Sequence, residues 1–322
     1  MRRQFIRHLG AALALATLAG GAAAQVDKPV KLSVGFAPGG SADTAARLLA
    51  ERMAVELKQP VVVENRPGAG GRIAAEALKA APADGSALML APIVVPVLAP
   101  MVFGKLNYNP ATDFAPVAHV ANFQFGLSVA AGHPAKNVKD LVAWYKANPK
   151  EANFGSPAPG SLPHFFGVMI ATGAGLDLVH VPFNGGGPLM NALVGNQVSA
   201  GIDTLVDQIE MHRAGKTRIL ATSGAQRSPL LAEVPTFAES GLPNVVGTSW
   251  FAIYAPARTP AATVQQLNAA VNKALAAPEL RERFAKLGLE PTGGSVADLQ
   301  AIAQRDAERW APVVKASGFR GD

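Results

Sequence analysis

Four short turns carry residue types that can hold an anion: Pro38-Gly39-Gly40-Ser41, Gly68-Ala69-Gly70-Gly71, Pro159-Gly160-Ser161 and Asn184-Gly185-Gly186-Gly187. Each precedes a helix-like run. Glycine lets the backbone approach a ligand closely. A helix N-terminus adds unpaired N–H groups and the positive end of a dipole. Together they favour a carboxylate or phosphate. In parallel α/β sheets such turns lie at the carboxyl ends of strands, where ligands bind. Any one of the four can be a plain connector; as a set they point to a shared anion cleft.

Other chemistries fit the residues less well. A phosphate loop needs a glycine five positions before the Gly of Gly-Lys-Thr, and Glu210 stands there relative to Gly215-Lys216-Thr217. No G-x-G-x-x-G follows the first strand. Ser41, Ser156, Ser161, His164 and Asp203 offer the parts of a hydrolytic triad, but no G-x-S-x-G elbow is present. A serine before an apolar helix is ordinarily a cap. The histidines after the first 24 residues lack metal-ligand spacing and the chain has no cysteine, so no metal site or cofactor is expected. Asp203, inside the apolar run SAGIDTL, either meets a ligand amine or hydroxyl or caps the next helix.

The elements that must position these turns alternate between two periodicities. Val30, Leu32, Val34 and Phe36 alternate with polar or small residues, as in a half-buried strand. Ala45, Leu48, Leu49, Met53 and Leu57 then recur at helical spacing. PVVVEN predicts a strand buried on both faces. SALMLAP, NFGS, LVHVPF, VSAGIDT and RILATS are further strands. The βαβ order predicts parallel sheets with crossover helices. The end of the chain is helical, with Pro260 in a first turn, Gly288 as a stop and Ser295 with Asp298 as a capping box.

Of 322 residues, 49% are hydrophobic and 16% charged, which describes a globular chain with a large core. Residues 1–24 combine Arg2, Arg3 and Arg7 with a short Ala/Gly-rich apolar stretch ending in Ala22-Ala23-Ala24. This predicts a signal peptide cleaved near Ala24, exported to the periplasm by the Sec or the twin-arginine route. Removing it leaves 26 basic against 23 acidic residues, a weak balance that does not suit nucleic-acid binding. No later run is long and apolar enough to span a membrane.

The stretches FAPGGSADTAARLLAERM, QPVVVENRPGAGGRIAAEALKAAPADG, FGSPAPGSLPHFFG, DLVHVPFNGGGPLMNALVGNQVSAGID, EVPTFAESGLP and ERWAPVVKASG occur here in order. With them the chain resembles the tripartite tricarboxylate transporter substrate-binding proteins, also called Bug receptors, over nearly its whole length after the leader. The resemblance implies an α/β, two-lobed periplasmic-binding-protein (Venus flytrap, type II-like) fold. It implies lobe 1 from residues 25–122 and 247–322, lobe 2 from 123–246, and crossings near Ala121–Gly126 and Pro243–Trp250. It implies a monomeric receptor, not an enzyme, that binds a small carboxylated solute and delivers it to the large and small subunits of a membrane permease. A sensor-kinase partner is the alternative output, and a periplasmic serine hydrolase using Ser161 and His164 the alternative chemistry. Carried onto this chain, one side of the site is Phe36, Pro38, Gly39, Gly40 and Ser41, with Ala69 and Gly70 from the second turn. The other side is Ser156, Gly160, Ser161, His164, Phe183, Gly185 and Gly186, and Asp203 reaches the distal end of the solute. Three departures bear on ligand choice: Phe183-Asn184 where the family often has Tyr-Lys, Arg72 where it often has Asn, and Thr204 where Asn is frequent.

Overall fold

The computed structural model describes residues 28–321, so the export-signal reading lies outside the described residues. Eleven strands form among these: β1 (Val30–Val34), β2 (Val61–Asn65), β3 (Ala87–Pro92), β4 (Phe114–Phe123), β5 (Phe125–Ala130), β6 (Asn153–Ser156), β7 (Val179–Pro182), β8 (Gly201–Thr204), β9 (Thr217–Thr222), β10 (Ser249–Pro256) and β11 (Leu289–Pro291). The helices that matter here are α1 (Ser41–Leu57), α2 (Arg72–Lys79), α3 (Leu162–Ala174), α4 (Gly186–Val194), α5 (Leu205–Arg213), α6 (Ala261–Ala276), α7 (Pro278–Lys286) and α8 (Val296–Ser317). The architecture is mixed α/β, with one sheet ordered β11-β4-β10-β3-β1-β2 and a second ordered β7-β6-β8-β5-β9.

The parallel pairing expected from the βαβ order is present in β1–β2, β1–β3, β6–β7 and β6–β8. Strands β5, β10 and β11 depart from it, each running antiparallel to every neighbour it has. For β5 and β10 the cause is the route of the chain. Strand β4 runs parallel in sense to β3 and passes through Gln124 directly into β5 of the other sheet. A strand that enters a sheet from the edge where the others end must run against them. Thr222 to Ser249 makes the return, and β10 enters the first sheet the same way.

The PVVVEN run forms β2, but at a sheet edge rather than between two covered faces, and Val62 is 50% exposed. Its β-branched side chains satisfy strand geometry without needing full burial. Gly215-Lys216-Thr217 is a helix end followed by β9, as its context predicts. Ser295 and Asp298 form the expected capping box of α8.

One apolar cluster runs through both halves of the molecule. The terminal helix helps join them. Trp310 of α8 sits edge-on to Phe166 of α3 at 5.8 Å, and Trp250 Nε1 donates to Asp306 Oδ2 at 2.7 Å. After β3 the chain makes a π-helical turn over Val94–Leu98, with Leu98 N–H reaching Ile93 O at 3.3 Å. Among the described residues no helix is long and apolar enough to cross a membrane.

Candidate functional site

The edges where most strands end face each other, and the four turns meet there. A Cβ on Gly185 would stand 3.4 Å from Ala37 N, so the fourth turn lies on the first. Gly185 has φ +119°, which excludes most side chains as well. A Cβ on Gly70 would stand 3.3 Å from Ala158 Cβ, so the second turn lies on the third. The two halves are closed on each other.

Between them is a cavity of about 60 Å³, room for a few water-sized groups. Phe36, Gly40, Ser41, Ile93 and Phe251 line it from the first-sheet half. Ser161, Gly186, Asp203, Thr204 and Asp207 line it from the other. The N-terminal ends of α1, α3, α4 and α5 all contribute lining residues. Their positive dipole ends therefore converge on one small space. No Lys, Arg or His lines it.

Two acids dominate its chemistry. Asp203 is the penultimate residue of β8 and is 1% exposed. Its Oδ1 accepts the Thr204 N–H at 2.8 Å, while Oδ2 has no hydrogen-bond partner. Gln208 Nε2 holds the strand end by donating to Asp203 O at 2.7 Å and Gly126 O at 2.8 Å. Asp207 lies in the first turn of α5. Thr204 Oγ1 donates to its Oδ2 at 2.9 Å, and Ser41 reaches it from the opposite half with both backbone N–H and hydroxyl. Burial pushes the Asp207 carboxyl up to about 6, against those hydrogen bonds. Burial, and then the charge of Asp207, pushes Asp203 well above the usual carboxylate range. The pair also explains Gly186. A Cβ there would fall on Asp207 Oδ2 and lie 2.6 Å from Asp203 Oδ2.

The first turn is held from behind. Asp43, 4% exposed, accepts from Gly39 N at 2.9 Å, Asn65 Nδ2 at 2.9 Å and Arg47 Nε at 3.0 Å. Burial raises its carboxyl, but the hydrogen bonds from Arg47, Gly39 and Asn65 leave it net below its ordinary value. The Gly39 amide is thus used internally.

Of the residues named from sequence, Phe36, Gly40, Ser41, Ser161, Gly186 and Asp203 line the cavity. The others lie outside its lining. Pro38, Gly39 and Ala69 are exposed at the rim, and Gly70 sits against Ala158. Phe183 packs with Leu189 over Gly155. Ser156, Gly160 and His164 belong to a separate cluster. His164 Nδ1 accepts the Gly160 N–H at 3.1 Å, and its ring stacks on His180 at 4.0 Å. His180 Nε2 meets Ser156 Oγ at 2.7 Å, and Ser156 Oγ also donates to Ala158 O at 3.1 Å. Burial lowers His164 to about 4, and burial with the neighbouring ring lowers His180 to about 3. Ser161 Oγ donates to Ala158 O at 2.6 Å rather than to His164. The Arg72 guanidinium lies 3.6 Å from the Phe103 ring centre and does not line the cavity, and Asn184 is exposed.

Asp207, His180 and Asp43 were not singled out from sequence. Thr204 and Asp207 have the spacing of a capping pair, which was the available signal. Asp43 carried a similar one, as an acid in the first turn of α1. His180 sits in an ordinary strand pattern and gave none.

Residues 45–319 match the description Tripartite tricarboxylate transporter family receptor. Protein BugT of Bordetella pertussis is 33% identical over 294 residues, covering 91% of this chain and 90% of that one. Among solved structures, Rpa4515 of R. palustris with adipate superposes with TM-score 0.88 at 34% identity, covering 92% of this chain and 99% of that one. MatC from Rhodopseudomonas palustris with bound malate gives TM-score 0.85 at 32% identity, covering 90% and 99%. The match across the chain, and the fold shared with these structures and with the periplasmic binding protein BugD, identify the chain as a member of the tripartite tricarboxylate transporter receptor family, to which the Bug proteins belong.

Proposed function

We propose that this protein is a monomeric periplasmic receptor that encloses a small carboxylated solute between two lobes, without chemistry, and presents it to a tripartite membrane permease. The leader ending near Ala24 would direct export. Lobe 1 would comprise residues 25–122 and 247–322 and lobe 2 residues 123–246, a division supported by strand membership of the two sheets. The observation that carries the reading is the small cavity enclosed by four helix N-termini drawn from both halves. The relatives with adipate and malate support carboxylate as the ligand class. Closure is favoured because only the closed form brings both sets of turns onto one solute. The hydrolase alternative finds little support, since Ser161 Oγ is engaged by Ala158 O and His164 Nδ1 by Gly160 N–H.

The test is calorimetry joined to small-angle scattering against a panel of mono-, di- and amino-carboxylates. Saturable binding with compaction is the expected result. No binding to any acid would defeat the reading. Co-purification of the receptor with the permease subunits, dependent on solute, tests the partnership.

A further inference from the structure

The cavity holds more negative charge than a plain anion receptor needs. Asp203 is buried and lines the cavity, its Oδ2 has no partner, and that oxygen converges with Asp207 Oδ2 on the space above Gly186. Asp207 receives donors from Ser41 and Thr204, the arrangement of an ionised carboxylate. No cation lines the cavity. Four helix N-termini supply about +0.5 each, or about +2 together, of which the Asp207 carboxylate offsets about half. A dicarboxylate would bring two negative charges against the about +1 that remains, in a space with little water. A zwitterion would add none. Its ammonium would also give the orphaned Asp203 Oδ2 the donor it lacks.

We propose that the site selects a short solute bearing an ammonium group as well as a carboxylate, and that Asp203 and Asp207 are the specificity-determining residues that favour it over a dicarboxylate of matched length. This rests on the receptor reading above. The ammonium lies between the two acids, and the carboxylate faces the helix N-termini lining the rest of the cavity. The site thereby differs in ligand charge from the relatives holding adipate and malate.

The experiment is calorimetry near neutral pH with matched pairs: β-alanine against malonate, γ-aminobutyrate against succinate, and longer members of each series. The amino-carboxylate of the best pair should bind at least about tenfold more tightly. Asp203→Asn should cut that preference by about tenfold or more, and Asp207→Asn should shift it in the same direction, with circular dichroism checking the fold. The wild-type ratio decides the matter even if a variant does not fold. Tighter binding of the dicarboxylate, with proton uptake, would overturn the selectivity and leave the receptor standing. Silence across every pair and the wider acid panel would overturn both.

Discussion

Asp203 of β8 and Asp207 of α5 meet with one carboxylate oxygen unpartnered; in the same half, Ser156 of β6, His180 of β7 and His164 of α3 form a cluster whose polar contacts are internal. Both groups are polar and both sit near glycine turns. They differ in what burial has done. At the acid end it raises carboxyls beside a cavity. At the imidazole end it keeps two rings neutral and stacked, away from the cavity. The first is poised to gain a partner, the second to hold the third turn in shape through the Gly160 N–H.

The two ends should respond oppositely to pH, which gives the strongest way to break the comparison. His164 and His180 have folded-state values depressed to about 4 and about 3. The unfolded chain therefore takes up protons first, and their stabilisation, complete above about 6.5, is lost as pH falls. The pair should cost on the order of 3–5 kcal/mol between pH 7.5 and 4.5, read by urea denaturation. The double variant His164→Phe/His180→Phe should flatten that slope; an unchanged slope would remove the imidazole end from the account.

Gly186→Ala comes next. Its Cβ would displace both acids, so stability should fall by about 2–3 kcal/mol, and by less in an Asp207→Ala background. Equal losses in both backgrounds would mean that the acids do not dictate the glycine. Asp207→Asn is smaller and opposite in sign. The raised carboxyl costs stability as pH rises through the ordinary value to about 6, so removing its charge should stabilise the protein at pH 7.5 by about 1–2 kcal/mol after solvent screening. At pH 4.5 the variant and wild type should converge. Asp43→Asn, behind the first turn, should cost about 1 kcal/mol with no change in the pH slope attributed to Asp207. A loss that follows Asp207's pH profile would join two networks that the hydrogen bonds keep apart.

Periodicity made most of the fold readable. Val30, Leu32 and Val34 announce β1, and Leu48, Leu49 and Met53 announce α1, because burial of one face fixes the spacing. The edge position of β2 was not readable, since three valines look the same whether covered on one face or two. The site was half legible. Gly40, Ser41, Ser161 and Gly186 follow from turn chemistry, but a sequence does not reveal which amides are already consumed. Gly39 N–H goes to Asp43 and Gly160 N–H to His164, so neither turn offers all its donors to a solute. Asp207 hides as a capping residue. In the fold it lines the cavity, with Ser41 reaching it from the other half.

The absent side chain at Gly186 has a consequence for how the receptor could change its ligand. While Asp203 and Asp207 remain, no larger residue fits there without displacing them. Substitutions that alter solute preference thus have an order. The acids must be replaced first, and only then does the glycine become free to vary. A laboratory selection for a new solute should recover changes at 203 or 207 in its early rounds, and changes at 186 only in lineages that already carry them.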